Sequence, residues 1–207
     1  MMPGKQSLHP RKQPKQVRGE LTRERILVAA AQVFAEYGYA AGTTNRIAER
    51  AHVSIGSLYQ YYPNKDAILV ELLDRHLDAG EDALRRQQGC GLPDTVEGAM
   101  RVLVRVAIEN HLDDPQLLRV MVEEAPKSPE LLRKVREHEE SQVAYLCELL
   151  GRYPEVRVGD VRMAAQITVS TVGLVVHKVI ATREAVDLQR FEDELVAMLT
   201  RYLAPAV

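Results

Sequence analysis

The chain has 207 residues, of which 46% are hydrophobic and 27% are charged, with a net charge of −2 at pH 7; this composition is typical of a folded globular protein. Its two cysteines exclude a disulfide framework, and its basic N-terminus lacks the apolar run of a secretory signal. The longest apolar tract, residues 163–176, is interrupted by polar side chains, so we expect a cytoplasmic protein with no membrane partner.

Charge is distributed unevenly along the chain. Residues 1–65 contain 10 Lys or Arg and 4 Asp or Glu, a net +6, whereas residues 66–207 contain 17 and 25, a net −8. A basic N-terminal third on an acidic body indicates that the N-terminal part binds a polyanion and that the body has another task.

Residues 1–19 form the first predicted segment. They include five basic residues, three prolines and no acidic residue, and they show no apolar periodicity, which predicts a disordered basic tail. Such a tail is either a solubilising leader or an arm that lies along DNA. The first helix is predicted from about Thr22, as its N-cap, to Tyr37, and Gly38 ends it.

Two short helices joined by a tight turn are predicted next. Thr43, or the threonine that follows it, can cap the first helix, and Ser54 can cap the second. The second helix places Leu58 and Tyr62 inward at i, i+4 spacing, and it ends before Pro63. Its other residues form a polar and aromatic outer face. A small helix of this kind, supported by a buried partner helix, has the geometry that enters a DNA major groove.

This stretch resembles the signature of tetracycline-repressor (TetR) type transcriptional regulators. The matching positions are Thr43, Ile47, Ala48, Ala51, Val53, Ser54, Gly56, Leu58, Tyr59, Tyr61, Tyr62 and Lys65. The family usually has Gly immediately before the position of Val53, where this chain has His52. A positive φ is expected there, which His tolerates better than most residues, although with some strain.

The resemblance implies an all-α protein of about nine helices. Residues 20–64 would form a three-helix, helix-turn-helix DNA-binding domain, and residues 65–207 a helical bundle for ligand binding and dimerisation. The positions that the resemblance assigns to DNA contact are Thr43, Thr44, Asn45, Ile55, Gly56, Ser57, Tyr59, Gln60, Tyr61 and Lys65. The second short helix has no Arg or Lys for a bidentate guanine contact, so apolar contacts, hydroxyls, Gln60 and DNA shape are expected to supply sequence preference.

Helical signals continue to the end of the chain. A long helix is predicted from Lys65 to about Gln88, and it links the DNA-binding part to the body. Five further helices are predicted from capping and proline signals, beginning near Asp94, Asp114, Ser128, Asp160 and Asp187.

The resemblance also implies how the protein works. It would be a homodimeric regulator, acting as a repressor on a palindromic operator, and a small molecule in the bundle would tilt the long helix and release the DNA. The body has no Trp and only one Phe, so we expect a largely apolar effector in an aliphatic site with a few polar groups. The predicted lining residues are Leu103, Val104, Ala107, His111, Arg119, Met121, Tyr145 and Gln166.

Residues 161–181 are apolar almost all round, so a helix here must be covered on more than one side. Pairing this helix and the last one with their symmetry mates would cover it, as the resemblance also implies. The predicted dimer residues are Ile167, Ser170, Gly173, Leu174, His177, Leu195, Met198, Leu199 and Tyr202. The alternative is a monomer in which this helix is simply central.

Enzymatic and metal chemistry have little support in the sequence. It contains no Gly-rich phosphate loop, no G-x-S-x-G and no H-E-x-x-H, so we predict no catalytic residue, no cofactor and no metal. Cys90 has no basic neighbour to activate its thiol and is predicted to be a free loop cysteine. The rival function is a DNA-binding architectural or partner-binding regulator without a small-molecule ligand, against which a cavity in the body would argue.

Overall fold

The computed structural model describes residues 13–89, 91–112, 115–124, 129–181 and 186–205, and every regular element in these ranges is helical. The predicted all-α class with about nine helices is confirmed. The helices are α1 (Gln13–Ala41), α2 (Thr44–Arg50), α3 (Ile55–Tyr61), α4 (Lys65–Gly89), α5 (Val96–Leu112), α6 (Pro115–Arg119), a π-helical segment (Val120–Glu124), α7 (Pro129–Leu150), α8 (Val161–Ala181) and α9 (Leu188–Leu203).

The chain divides into two compact units, a first unit of residues 1–68 and a second unit of residues 69–207. The division falls inside α4, four residues after the boundary that the sequence predicts at 64/65.

Helix α1 begins earlier than predicted. It starts at Gln13, so residues 13–19 of the predicted tail are helical, while residues 1–12 lie outside the described part of the chain. Thr22 is not an N-cap: it lies inside the helix, and its hydroxyl donates to the carbonyl of Arg18 at 2.8 Å. A threonine in a helix interior satisfies its hydroxyl in this way, so its presence did not identify the start.

The core of the first unit is formed by α1, α2, α3 and the first turn of α4. Its fully buried large side chains are Phe34, Ile26, Leu27, Ile47, Leu58 and Ile68. Gly38, with φ of 72°, breaks the regular path of α1 near its end. The chain then passes so close to the core that a Cβ on Gly42 would lie 2.5 Å from the ring of Phe34.

Helix α8 is central to the second unit, since it packs against α5, α6, α7 and α9, and α5 in turn packs against α9. By length and composition alone α8 could cross a membrane, and 39% of its most apolar window is buried. A helix packed on four others needs a similar composition, so this is weak evidence for a membrane span.

Of the three predicted helix starts in the second unit that lie on described residues, two agree with the structure and one does not. Asp187 caps α9 by accepting from the backbone N–H groups of its second and third following residues, and Asp160 accepts from Met163 N at 3.0 Å. Helix α5 is capped by Thr95 instead of Asp94, because the Thr95 hydroxyl accepts from the backbone N–H of the third residue on, at 3.1 Å. The other predicted starts, at 114 and 128, and the loop cysteine at 90 lie outside the described residues.

Candidate functional site

Both short helices of the first unit have capped N-termini, as predicted. The hydroxyl of Thr43 accepts a hydrogen bond from Arg46 N at 3.3 Å, and the hydroxyl of Ser54 accepts one from Ser57 N at 3.0 Å. These caps satisfy backbone donors that have no partner inside a helix. They therefore set where α2 and α3 begin and which face of each helix points outward.

The turn between α2 and α3 is held from outside by an arginine. His52 has a φ of 52°, which confirms the positive value expected at this position. The guanidinium of Arg25, on α1, donates to the carbonyls of Ala51 and His52. The strained backbone at His52 is thus stabilised by hydrogen bonds from the charged guanidinium of Arg25.

Helix α3 is anchored by Leu58 and exposes most of its other residues. Ile55, Gly56, Tyr59, Gln60 and Tyr61 are exposed, as are Thr43 and Asn45, while Thr44 and Ser57 are half-buried. The hydroxyls of Tyr59 and Thr44 lie 3.2 Å apart. The residues that the resemblance assigns to DNA on α2 and α3 are therefore all at least partly accessible, and we call them together the reading surface; its members are Thr43, Thr44, Asn45, Ile55, Gly56, Ser57, Tyr59, Gln60 and Tyr61.

Gly56 is not required by the packing of its own unit. A Cβ at this position would meet nothing closer than the hydroxyl oxygen of Ser54 at 3.9 Å, and its φ is not positive. A glycine that the fold does not need, in the middle of an exposed face, leaves room for another molecule to approach the backbone.

Lys65, which the resemblance assigns to a phosphate, already has partners in the first unit. Its ammonium donates to the carbonyls of Tyr39 at 2.6 Å and Ala40 at 3.3 Å, and it lies 4.0 Å from the centre of the Tyr39 ring. Burial raises the pKa of Tyr39 well above its usual value, and so does the hydrogen bond from its hydroxyl to Asp66. Because an ammonium has three N–H donors, Lys65 can join α1 to α4 and keep one donor for a phosphate.

The early turns of α1 pass beside the C-terminal end of α3. A Cβ on Gly19 would lie 3.7 Å from the hydroxyl oxygen of Tyr61. The first 19 residues hold five of the 10 basic residues that give the N-terminal third its positive charge. The end of this segment at Gly19 therefore lies next to the reading surface.

The predicted effector residues do not meet at one site. Leu103 and Tyr145 line a small cavity of about 40 Å³, together with residues of α4, α5 and α7 that include Leu84. Other members of the predicted set are packed in the protein interior or partly buried: Val104, Met121, Ala107 and Arg119. Gln166 is exposed, because the inward face of α8 is formed by its neighbours at 164, 165, 168 and 169, so it cannot line an interior site.

His111 lies in a different place, a histidine cluster formed by His76 of α4, His111 of α5 and His177 of α8. The ring centres of His76 and His111 are 5.3 Å apart, and those of His111 and His177 are 6.1 Å apart, both pairs edge to face. Burial lowers the pKa of His76 and of His111 to about 4. Repulsion from His138 and His177 adds to the shift of His76, and repulsion from His76 and His177 adds to that of His111. Burial also lowers the pKa of His177, which the carboxylate of Glu123 opposes.

At neutral pH the three rings of the cluster are therefore uncharged. Among the described residues, no group of three or more His, Cys, Asp or Glu is arranged to hold a metal ion. Sequence reasoning missed His76, because nothing in the spacing of residues 76, 111 and 177 indicates that they meet.

The predicted dimer residues lie on two different faces. Ile167, Gly173 and Leu174 on α8 are exposed, Leu174 by 69%, and so are Met198 and Tyr202 on α9. The prediction was wrong for two residues of α9, which are buried in the core of their own chain because their face packs against α5: Leu195 and Leu199.

Two further predicted dimer residues have partners within the chain. The ring of His177 lies against His111, and the hydroxyl of Ser170 donates to Glu139 on α7 at 2.7 Å. The exposed apolar surface left on α8 and α9, which we call the outer face, is therefore narrower than predicted; its predicted members are Ile167, Gly173, Leu174, Met198 and Tyr202.

Two protein-family models match the chain. The one described as "Bacterial regulatory proteins, tetR family" matches residues 26–72, and the one described as "Tetracyclin repressor-like, C-terminal domain" matches residues 95–203. The second match alone covers more than half of the chain, and the first includes α2, α3 and the reading surface from Thr43 to Tyr61.

The relatives match about a third of the chain. The chain is 43% identical over 68 residues to the HTH-type transcriptional regulator HbdR of Aromatoleum sp. (strain CIB), covering 33% of this chain and 30% of HbdR. It is 40% identical over 63 residues to the HTH-type transcriptional repressor KstR of Mycobacterium tuberculosis, covering 29% of each. The matched region is thus about a third of the length of these relatives.

Solved structures match over most of the chain. The fatty acid degradation regulator FadR of Bacillus halodurans is 27% identical with a TM-score of 0.72, covering 86% of this chain and 94% of FadR. FadR of Bacillus subtilis, solved in complex with stearoyl-CoA, has the same fold at 24% identity and a TM-score of 0.72, covering 87% and 98%. With family models matching residues 26–72 and 95–203, the chain belongs to the TetR family of bacterial regulatory proteins.

Proposed function

We propose that this protein is a cytoplasmic, ligand-responsive repressor that binds a palindromic operator as a homodimer and leaves it when a small molecule binds the second unit. Membership of the TetR family supports DNA-dependent regulation, and the relative KstR is named as a repressor. The structural neighbour solved with stearoyl-CoA supports a small-molecule effector. Two reading surfaces in a symmetric dimer would meet two half-sites about one or more helical turns apart.

The observation that carries this proposal is the reading surface. Helix α3 is supported from beneath by Leu58, and it has an outward glycine that the fold does not require. In the proposed complex Ile55, Gly56 and Ser57 lie against base edges. The tyrosines and threonines contact phosphate or thymine methyl groups, and Lys65 contacts a phosphate.

The test replaces Gly56 by a larger side chain. Gly56→Leu should abolish protection of the promoter beside the protein's own gene in footprinting, because the new side chain occupies the space needed by DNA. Its thermal unfolding should be unchanged or slightly improved, since leucine favours a helix over glycine. The matched control is Gly159→Leu, at a loop glycine with nothing within 4 Å of an added Cβ. A Gly56→Leu protein that protects the promoter as well as the control does would rule out this face of α3 as the DNA contact.

A regulator without a small-molecule ligand remains the second candidate, and one observation favours it. The apolar cavity of about 40 Å³ and a second cavity of about 130 Å³ beside Arg101 and Arg105 are both small, whereas sites for drug-sized ligands measure roughly 300–1,000 Å³. An effector would therefore have to widen either cavity on binding. Repeating the footprint with candidate small molecules separates the two functions, because only a ligand-responsive repressor loses protection.

The dimer is proposed from the outer face. Met198 and Tyr202 on α9 and Leu174 on α8 are large apolar or aromatic side chains that this chain leaves exposed. In a two-fold dimer the same patch on each protomer covers the other, so α8 and α9 of two chains would form a four-helix interface. Gly173 has nothing within 4 Å of an added Cβ and would allow the two copies of α8 to approach closely.

A further inference from the structure

The histidine cluster has buried ring nitrogens that are left unpaired within the described part of the chain. There, Nδ1 of His111 and both ring nitrogens of His177 have no hydrogen-bond partner. A neutral imidazole has one N–H donor and one lone-pair acceptor. His177 therefore presents an unpaired donor and an unpaired acceptor, in a setting where buried polar groups are nearly always paired.

Helix α4 contacts this cluster and is joined to the body by polar side chains. The amide of Asn110 on α5 donates to the carbonyl of His76 at 3.3 Å and lies 3.4 Å from its Nε2. On the α7 side, Lys134 pairs with Asp74 of α4. A molecule that binds the cluster would therefore act directly on the side chains that hold α4.

The cluster and the apolar cavity lie along one seam between α4 and α5. His76 and Leu84 are eight residues apart on α4, and His111 and Leu103 are eight residues apart on α5, which places the two ends of the seam about 12 Å apart. The leucines line the cavity and the histidines belong to the cluster. Between them the side chain of Asn110 packs against Gly80 of α4, where an added Cβ would lie 3.1 Å from the Asn110 amide nitrogen, so a molecule that occupies the seam must displace this side chain.

We propose that the effector required by the proposed function is amphipathic, with an uncharged hydrogen-bonding head bound by His111 and His177 and an aliphatic tail that follows the α4–α5 seam to the cavity. A hydroxyl or a primary amide satisfies His177 on both sides, because it accepts from the ring N–H and donates to the ring lone pair. A tail of about ten carbons spans the seam, and its insertion would separate α4 from α5.

The surroundings favour an uncharged head over an anion or a metal. Burial lowers the pKa of all three rings, so a carboxylate would meet neutral imidazoles and could pair with a cation only by taking up a proton. A metal would need several free lone pairs directed to one point, and Nε2 of His76 already faces the amide of Asn110. The experiment below distinguishes an anion and a metal ion from an uncharged head.

Calorimetry on the full chain with decanamide and 1-decanol as probes tests the inference directly. His177→Leu should weaken binding about tenfold or more, as expected for a lost hydrogen bond in a buried site. His177→Gln should retain affinity within about threefold, because the amide keeps one donor and one acceptor. His111→Leu is a second variant whose affinity should also fall, and circular dichroism verifies that each variant is folded.

The matched control is His138→Gln, in the same unit. Both nitrogens of His138 have partners, since Nδ1 lies 3.2 Å from Glu81 and Nε2 lies 2.9 Å from the amide of Gln142. Probe affinity should not change in this variant. Equal affinity in His177→Leu and the wild type would overturn the inference. So would decanoate binding that tightens as the pH falls, which indicates an anion site, or Zn²⁺ binding that both His177 variants lose, which indicates a metal site.

Operator protection measured on the same preparations separates this inference from the proposed function. If the operator is protected but neither probe binds, the inference fails and DNA-dependent regulation stands. If the probes bind with the predicted histidine dependence but no operator is protected, the repressor function fails and the binding site stands.

Discussion

The two units of this protein differ in how completely their polar side chains are hydrogen-bonded. In the first unit Thr43 and Ser54 cap helices, Arg25 holds the turn and Lys65 joins two backbone carbonyls, so the reading surface rests on polar contacts made within the unit. In the second unit three buried histidine nitrogens have no hydrogen-bond partner among the residues that the structure describes. In the first unit polar side chains are thus paired within the unit and fix the helices that present the reading surface. In the second unit, unpaired nitrogens in the interior can form hydrogen bonds with a bound molecule.

The largest expected effect is a loss of stability when a core side chain of the first unit is truncated. Phe34→Ala removes a fully buried ring against which Gly42 packs and should lower the free energy of unfolding by about 3–5 kcal/mol. Urea denaturation measures this, and operator binding should be lost with it. Val28→Ala, at an exposed position of the same helix, is the control. A loss of unfolding free energy below about 1 kcal/mol would mean that the core repacks around the missing ring.

The next effect concerns the outer face of the second unit. The double variant Leu174→Glu with Met198→Glu changes two exposed positions, so the chain should stay folded while sedimentation shifts from dimer to monomer mass and operator affinity falls. Leu195→Glu, in the core of the same chain, should instead unfold the second unit. Wild-type protein that sediments as a monomer at micromolar concentration would end the dimer proposal.

The sequence predicts the features of the two units that depend on residues close together in the chain. The caps at Thr43 and Ser54 and the positive φ at His52 depend on residues close together in the chain, and the structure has all three. The early start of α1 was missed because a threonine such as Thr22 suits a cap and also bonds back to a carbonyl inside a helix. Periodicity could not divide the apolar stripe of α9, because the choice between core and surface for Leu195 and Met198 depends on where α5 lies.

The histidine cluster could not be predicted for the same physical reason. Periodicity places each histidine on a helix face, but it does not say which faces of α4, α5 and α8 meet. Packing of distant segments decides that, and only the structure shows His76, His111 and His177 together.

Lowering the pH should reduce the stability of the second unit, which contains the histidine cluster. The pKa of His76 and of His111 is about 4 in the folded protein, below the unfolded value of 6.5, so between these values the unfolded chain binds protons that the folded chain does not. Stability is therefore fully present above about pH 6.5 and is lost as the pH falls towards 4, by roughly 1 kcal/mol per histidine at pH 5.5.

The groups that face these rings set the size of this effect. His177 of α8 and His138 of α7 add repulsion to His76, while Glu123 acts on His177 and Glu81 pairs with His138. Urea denaturation of His76→Gln with His111→Gln at pH 7.5 and 5.5 should show a smaller difference than the wild type. His52→Asn, at an exposed position in the first unit, is the control. An undiminished difference in the double variant would assign the pH dependence to other groups.

The smallest expected effect concerns Lys65, where the first unit's internal contacts and its proposed DNA contact coincide. Lys65→Ala leaves the carbonyls of Tyr39 and Ala40 without this donor, which should cost about 1 kcal/mol of stability. If the remaining N–H also binds a phosphate, operator binding should weaken alike for all sequences. The slope of log affinity against log salt should then become shallower by about one unit. Arg85→Ala, an exposed cation of α4 paired with Glu81, should leave that slope unchanged. Lower stability with an unchanged slope would make Lys65 a joint between α1 and α4 and remove it from the DNA contacts.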